Sequence, residues 1–218
     1  MSPTVDGSIG ASRFTPPPEV HDFEWTHREL GKGAALYRAG DAGGLVYRVN
    51  EGLLKLVIDG PAGKERILTL AGPGDLIGAV GPQDGTFRET AETLSQALIS
   101  AVPLVSLMAS SSDELLSAAA AKLDHMREAL EDAELPVAVR VARILLRLGC
   151  RFGHCSNDGS VWLTLPLTHD HLAAMAGAAR ETTSTALGEI RKAGLVEGTR
   201  GRYHFDPGRL QRFTVELS

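Results

Sequence analysis

From Ser111 to Glu134 the chain carries neither glycine nor proline, although it has 24 of the first and 11 of the second elsewhere. A run of this length, free of breakers and built from good helix formers, predicts one long helix. Its apolar residues Leu116, Ala119, Leu123, Met126, Leu130 and Ala133 recur at intervals of 3, 4, 3, 4 and 3, which is a heptad seam. So narrow a stripe suits a partner helix, and a two-fold homodimer through Leu116, Ala119, Leu123, Met126 and Leu130 is expected. The alternative is packing on the rest of the chain, which needs a wider stripe and would recruit Leu115. Ser111 or Ser112 is placed to cap the helix, with Asp113 and Glu114 complementing its dipole. Pro136 cannot continue the hydrogen-bond ladder, so a hinge is expected there.

On the N-terminal side, Leu30 to Leu107 alternates short aliphatic runs with Gly, Pro and Asp every eight to twelve residues, the spacing of a β-barrel or sandwich. Val46–Val49, Leu53–Ile58 and Ile67–Leu70 read as strands, Glu51-Gly52 as a turn between the first two, and Arg38–Asp41 as another turn. A β-roll of this kind can enclose side chains or one small ligand. On the C-terminal side, Val137–Leu148 reads as a helix, Val161–Leu165 as a strand, and two helices and a β-tail follow. The class is α+β. The divisions expected are a flexible segment 1–22, a β-roll 23–110, the helix 111–135 and a C-terminal unit 136–218.

Several function classes drop out on composition. The longest apolar stretch, Ala97 to Ala109, is interrupted by Ser100, Pro103 and Ser106, too short to span a bilayer that needs about 20 apolar residues, so no membrane association is expected. Residues 1–20 have three consecutive prolines and no apolar core, unlike a secretory signal. Cys150 and Cys155 are the only cysteines, which fits a reducing compartment and a cytoplasmic protein. Leu30–Leu107 contains no histidine and no nucleophile–base arrangement, so an enzyme built on the β-roll is not expected. Charge is divided unevenly. Residues 1–136 hold 11 Lys/Arg against 20 Asp/Glu, whereas residues 137–218 hold 11 against 7. Only the C-terminal part is suited to a polyanion. Arg140, Arg143, Arg147 and Arg151 share one helix face, which reads as a solvated stripe.

His169 to Leu187 has the spacing of a helix-turn-helix. Thr168 is a natural N-cap, Ala173 is small where the helices would cross, and Gly177 supplies the turn. On the second helix Thr183, Ala186, Leu187 and Ile190 form the inward face, leaving Arg180, Glu181, Ser184, Thr185 and Gly188 outward. Arg180 can donate twice to guanine and Glu181 can accept from cytosine N4 in a major groove, while Thr182 and Thr168 are placed for phosphates. Leu195–Glu197 pairs with Arg202–Phe205 across Gly198–Gly201 as a β-hairpin wing, with Arg200 available to the DNA backbone.

Glu51-Gly52, Pro73-Gly74-Asp75-Leu76-Ile77-Gly78, Leu165-Pro166-Leu167-Thr168, Leu172-Ala173 and Gly177 through Arg180-Glu181-Thr182 together resemble the CRP/FNR superfamily of bacterial transcription regulators, from about Leu30 to Leu210. The resemblance implies a cyclic-nucleotide-binding-type β-roll (jelly-roll), a long dimerisation helix and a C-terminal winged helix-turn-helix. It implies a homodimer on double-stranded DNA, with half-sites about one helical turn apart, and contact with RNA polymerase, the loop 152–159 being placed for it. The stretch Arg180–Leu187 is similar to the recognition helix of the CO-sensing haem members. Where the best-known pattern has an arginine four residues after the Glu, this chain has Thr185, which implies an altered half-site.

The effector implied by the resemblance is less well matched. Candidate pocket residues are Gly78, Ala79, Arg88, Glu89 and Thr90. Ala79 stands where cyclic-AMP-binding members have the glutamate for the ribose. Glu89 follows Arg88 where a serine or threonine would assist the phosphate. A carboxylate there opposes an anion, so a regulator independent of cyclic AMP is expected, Arg88 and Glu89 pairing with each other, and any small-molecule effector is unknown. Thr90 could take the missing role if the loop has shifted by one. The alternatives are a cyclic-nucleotide-dependent regulator, then a redox- or metal-responsive one. Haem ligands are absent from Gly78-Ala79-Val80, an iron–sulfur site lacks its cysteines, and Cys150-x4-Cys155 is too wide for structural zinc, so no cofactor and no metal are expected.

Overall fold

The computed structural model describes residues 25–60, 63–78 and 85–217. Eight strands come first: β1 (Thr26–Leu30), β2 (Ala35–Tyr37), β3 (Leu45–Glu51), β4 (Leu54–Asp59), β5 (Glu65–Ala71), β6 (Leu76–Ile77), β7 (Thr90–Thr93) and β8 (Ala97–Pro103). They form two antiparallel four-stranded sheets, ordered β1-β8-β3-β6 and β2-β7-β4-β5. Alternate residues on each sheet point inward, and Leu36, Tyr37, Val49, Leu54, Leu56, Ile77, Phe87 and Ile99 make a common core. Tyr37 and Phe87 stack at 3.9 Å between ring centroids. The predicted segment 1–22 and Ala79 lie outside the described residues.

The apolar run Ala97–Ala109 divides into β8 and a short helix, α1 (Leu104–Ser110), so the β-rich part ends in a helix rather than in strand. Then comes α2 (Ser112–Asp132). Ser111 makes no side-chain cap to it, contrary to expectation, because its backbone is still closing α1: its N–H donates to Leu107 O. Instead Glu114 in the first turn accepts from Arg48 of β3 at 2.6 Å. Leu115 packs with Val46, Val102 and Leu107. The helix therefore packs on the β-roll through Leu115, and Leu116 is exposed.

Beyond Pro136 come α3 (Val137–Phe152), β9 (His154–Cys155), β10 (Val161–Thr164), α4 (His169–Ala176), α5 (Arg180–Lys192), β11 (Glu197–Thr199), β12 (Arg202–Phe205) and α6 (Pro207–Glu216). A further antiparallel sheet, β11-β12-β10-β9, backs the helices. The wing is tighter than expected. Thr199 pairs with Arg202, so the turn is the two residues Arg200-Gly201 and the strand begins at Glu197 rather than Leu195. Only glycine fits at 201: φ is +79°, and a Cβ would lie 1.9 Å from Leu165 O. The sequence reading did not include α6, although Asp206-Pro207 announces it. The Asp206 carboxylate accepts from the N–H groups of Gly208 and Arg209 at 2.8 and 3.1 Å, and proline occupies the first turn.

The two halves share an interior. Leu53, Val57, Ile67, Leu70 and Leu94 of the β-roll fall in one buried cluster with Val141, Leu145, Leu163, Leu172, Leu187 and Leu210. The arginine stripe of α3 lies along this junction and is not merely solvated. Arg140 donates to Ala176 O at 2.8 Å, Arg143 and Arg147 grip Asp132 at 3.0 and 2.6 Å, and Arg151 donates to Leu70 O at 2.7 Å while pairing with Asp75. These partners are far away in sequence, which is why the spacing of the arginines alone concealed them.

Candidate nucleic-acid interface and effector cavity

Thr168 opens α4 in extended backbone, and its hydroxyl accepts from His171 N–H at 3.2 Å, while His171 Nδ1 accepts from Thr168 N–H at 3.3 Å. This is a reciprocal capping box with histidine in the role usually given to glutamate. Gly177 ends α4 with φ of +60°, the left-handed turn that lets α5 cross. Thr183, Ala186, Leu187 and Ile190 are the buried positions of α5, and the Thr183 hydroxyl donates back to Ala179 O at 3.0 Å.

The opposite face is open. Glu181, Thr182 and Thr185 are exposed, as are Thr168 and the wing-tip Arg200, the last held at φ +51°. Arg180 is 63% exposed, with Nε 3.4 Å from an equally exposed Asp170, a pairing weak enough to yield to a nucleic acid. Ser184 is half-buried because its hydroxyl lies 2.9 Å from His169 Nδ1. Arg191 and Arg180 of α5 and Arg200 of the wing all bring positive charge near His169, opposed by Asp170.

Of the described candidate effector residues, Gly78 and Glu89 come together and Arg88 and Thr90 do not join them. Gly78 and Glu89 line a cavity of about 90 Å³ between the β-roll and α2, with Ala119, Lys122, His125 and Arg151 across from them. Glu89 is only 5% exposed, and both its oxygens accept from Lys122 Nζ at 2.8 Å. The expected Arg88–Glu89 pair is thus replaced by Lys122–Glu89. Arg88 is exposed instead, in the bend that leads into β7. Thr90 does not line this cavity, and its hydroxyl accepts from Ala39 N–H at 3.0 Å, tying β7 to the β2 end. Burial, and next the nearby Glu89 carboxylate, push the Tyr37 phenol well above its ordinary range, so it stays neutral. Lys122 carried no sequence signal, since a lysine on a heptad helix is ordinarily solvated.

Of the proposed dimer residues, Leu116, Leu123, Met126 and Leu130 are 67%, 67%, 48% and 75% exposed. Ala119 departs from that set, being half-buried and turned toward the cavity. Cys150 and Cys155 are free and exposed, and no cluster of three or more metal-ligating side chains occurs among the described residues.

Burial first, and then Arg151, Arg191 and Lys55 respectively, hold His125, His169 and His171 below their ordinary value of 6.5. The unfolded chain therefore binds more protons than the folded one as pH drops below that value. This gives a stability that is full above about pH 6.5 and falls beneath it. The urea midpoint should be lower at about pH 5.5 than at about 7.5, and equal midpoints would contradict these assignments.

Residues 27–110 match the cyclic nucleotide-binding domain family and residues 139–213 the Crp-like helix-turn-helix domain family. The cyclic AMP receptor protein of Thermus thermophilus is 31% identical over 197 residues, covering 82% of this chain and 84% of that protein. The chain belongs to the CRP/FNR superfamily of transcription regulators. A further CRP/FNR relative, the CRP-like cAMP-activated global transcriptional regulator of Mycobacterium tuberculosis, is 29% identical over 180 residues, covering 77% of this chain and 78% of the relative. The fold is that of FixK2 from Bradyrhizobium japonicum, with a TM-score of 0.75 at 22% identity, covering 89% of this chain and 98% of that one. As a CRP/FNR member the chain is a DNA-binding transcription regulator, and its family is one of regulators rather than enzymes. Among the described residues no helix is long and apolar enough to cross a membrane.

Proposed function

We propose that this CRP/FNR regulator works in the cytoplasm as a homodimer joined along Leu116, Leu123, Met126 and Leu130. It inserts two copies of α5 into successive major grooves of double-stranded DNA without needing cyclic AMP, and contacts RNA polymerase through the loop 152–159. The observation that carries the DNA docking is the division of α5 into a fully buried face and an exposed Arg180–Glu181–Thr185 face. Arg180 and Glu181 read base edges, Thr182, Thr168 and Arg200 meet phosphates, and Ser184 completes the groove-facing set.

Independence from cyclic AMP is supported by Glu89. Its carboxylate, already neutralised by Lys122, occupies the cavity that would receive an anion, and the cavity's about 90 Å³ falls well short of the roughly 300 Å³ at which small-molecule pockets begin. The names of the Thermus and Mycobacterium relatives favour the alternative, in which a cyclic nucleotide displaces Lys122 and tightens DNA binding.

Selection of bound duplexes from a random pool, followed by shift assays on the selected site with and without cyclic AMP, tests both readings. Equal affinity in the two conditions is expected, and saturable cyclic AMP binding that tightens the complex would establish the alternative. On the selected site Glu181→Ala should relax preference at one base pair by about tenfold. Arg200→Ala should weaken all sequences alike and reduce the salt slope by about one. Uniform loss in both variants would refute the docking.

A further inference from the structure

The contact between His169 and Ser184 joins the two helices of the helix-turn-helix at the groove-facing side, and its direction is decided by burial. His169 Nδ1 lies 2.9 Å from Ser184 Oγ, while His169 Nε2 is sealed from solvent and has no hydrogen-bond partner among the described residues. A neutral imidazole carries its proton on one nitrogen and a lone pair on the other. With the proton on Nε2, an N–H donor would be buried without an acceptor, which is among the rarest and most costly arrangements in folded proteins. With the proton on Nδ1, the donor is used and only a lone pair is buried. The ring stays neutral because burial, followed by the charges of Arg191, Arg180 and Arg200, outweighs Asp170 and holds its pKa down.

We infer that His169 is a positioning residue that donates from Nδ1 to Ser184 Oγ and so leaves the Ser184 O–H free to donate toward the groove. A free serine accepts or donates equally well and discriminates little between bases. A serine whose lone pair is engaged by His169 offers its own O–H outward. That O–H is suited to guanine O6 or N7, adenine N7 or thymine O4, a contact that is lost when the hydroxyl is spent as a donor to the ring, which would leave Oγ only its lone pairs for base amino groups. The inference rests on the proposed docking of α5 and adds a specificity determinant to it, placed on the helix that does not enter the groove.

Long-range ¹⁵N–¹H correlation spectra of the ring-labelled full chain read the tautomer without DNA. Protonation at Nδ1 is expected, and protonation at Nε2 overturns the inference. On the selected duplex, Ser184→Ala should relax preference at one base pair by about tenfold. His169→Asn, which retains a donor near the place of Nδ1, should keep the wild-type preference. His169→Asp can only accept, so the Ser184 hydroxyl turns inward and the preference at that pair should move toward bases with an amino group. A wild-type preference in His169→Asp, or equal loss on every sequence in Ser184→Ala, would overturn the assignment. Arg180→Ala separates the two levels. If it leaves every base preference unchanged, the docking of α5 fails; if it relaxes one pair while Ser184→Ala relaxes none, the docking stands and this inference alone falls.

Discussion

Leu123→Glu should give a folded monomer that has lost at least about a hundredfold in DNA affinity. Leu123 is 67% exposed in the single chain, so its replacement removes little buried area within the protomer and should change local stability by only about 0.5 kcal/mol. Between protomers the effect is different. Each apolar side chain of the Leu116, Leu123, Met126 and Leu130 seam is worth about 1.5–3 kcal/mol when fully covered by a partner helix. Two-fold symmetry would place the new carboxylate against the same seam of its copy, so one substitution introduces two charges into one apolar contact. Dimerisation links two α5 helices, and linkage of this kind multiplies affinity by about 10²–10⁴ on a site with two halves. Sedimentation velocity, circular dichroism and a shift assay on the same preparation decide the matter. A dimeric variant with unchanged affinity would place the interface elsewhere.

Asp132→Ala is expected to lower the unfolding free energy by about 2–3 kcal/mol. Asp132 is 5% exposed in the last turn of α2, where the helix dipole disfavours a negative charge. Its carboxylate persists there because Arg143 and Arg147 of α3 bind it at 3.0 and 2.6 Å. Removing it leaves two cations facing each other beside an apolar interior. The side chains of Arg143 and Arg147 are 30% and 34% exposed, and solvent screening therefore reduces the loss from the about 3–5 kcal/mol typical of a fully enclosed pair. Because the ion pair joins α2 to α3 across Pro136, the variant should also yield to protease near that proline before the wild type does. Urea denaturation of the full chain measures the first effect, and a change below about 0.5 kcal/mol would show that the arginines find equivalent partners.

Elements whose cause is local could be read directly from residue order. Thr168 and Gly177 bracket α4 as N-cap and left-handed C-cap, and the buried set Thr183, Ala186, Leu187 and Ile190 follows from helical period alone. The strands around Val46–Val49, Leu53–Ile58 and Ile67–Leu70 follow from alternation and punctuation. What escaped depends on residues distant in sequence. Lys122 meets Glu89 across 33 positions, Arg151 reaches Leu70 O across 81, and His169 reaches Ser184 only because Gly177 folds one helix back on the other. No periodicity records such a pairing, and each of these polar side chains has an ordinary solvated reading when seen alone. Two misses were nevertheless local. The Asp206-Pro207 start of α6 and the break between β8 and α1 at Pro103 both had cues in neighbouring residues.

The buried cluster that runs from Leu53 and Ile67 to Leu163 and Leu210 gives the molecule a mechanical character. Parting the two halves would wet aliphatic side chains on both sides at once, and a winged unit cut away at Pro136 would carry Ile144 and Leu148 into water as a sticky scar. The β-roll and the winged unit are therefore expected to unfold in one cooperative transition. Any signal passing between them must travel as a small sliding of packed side chains over one another, with the arginines of α3 acting as its tethers.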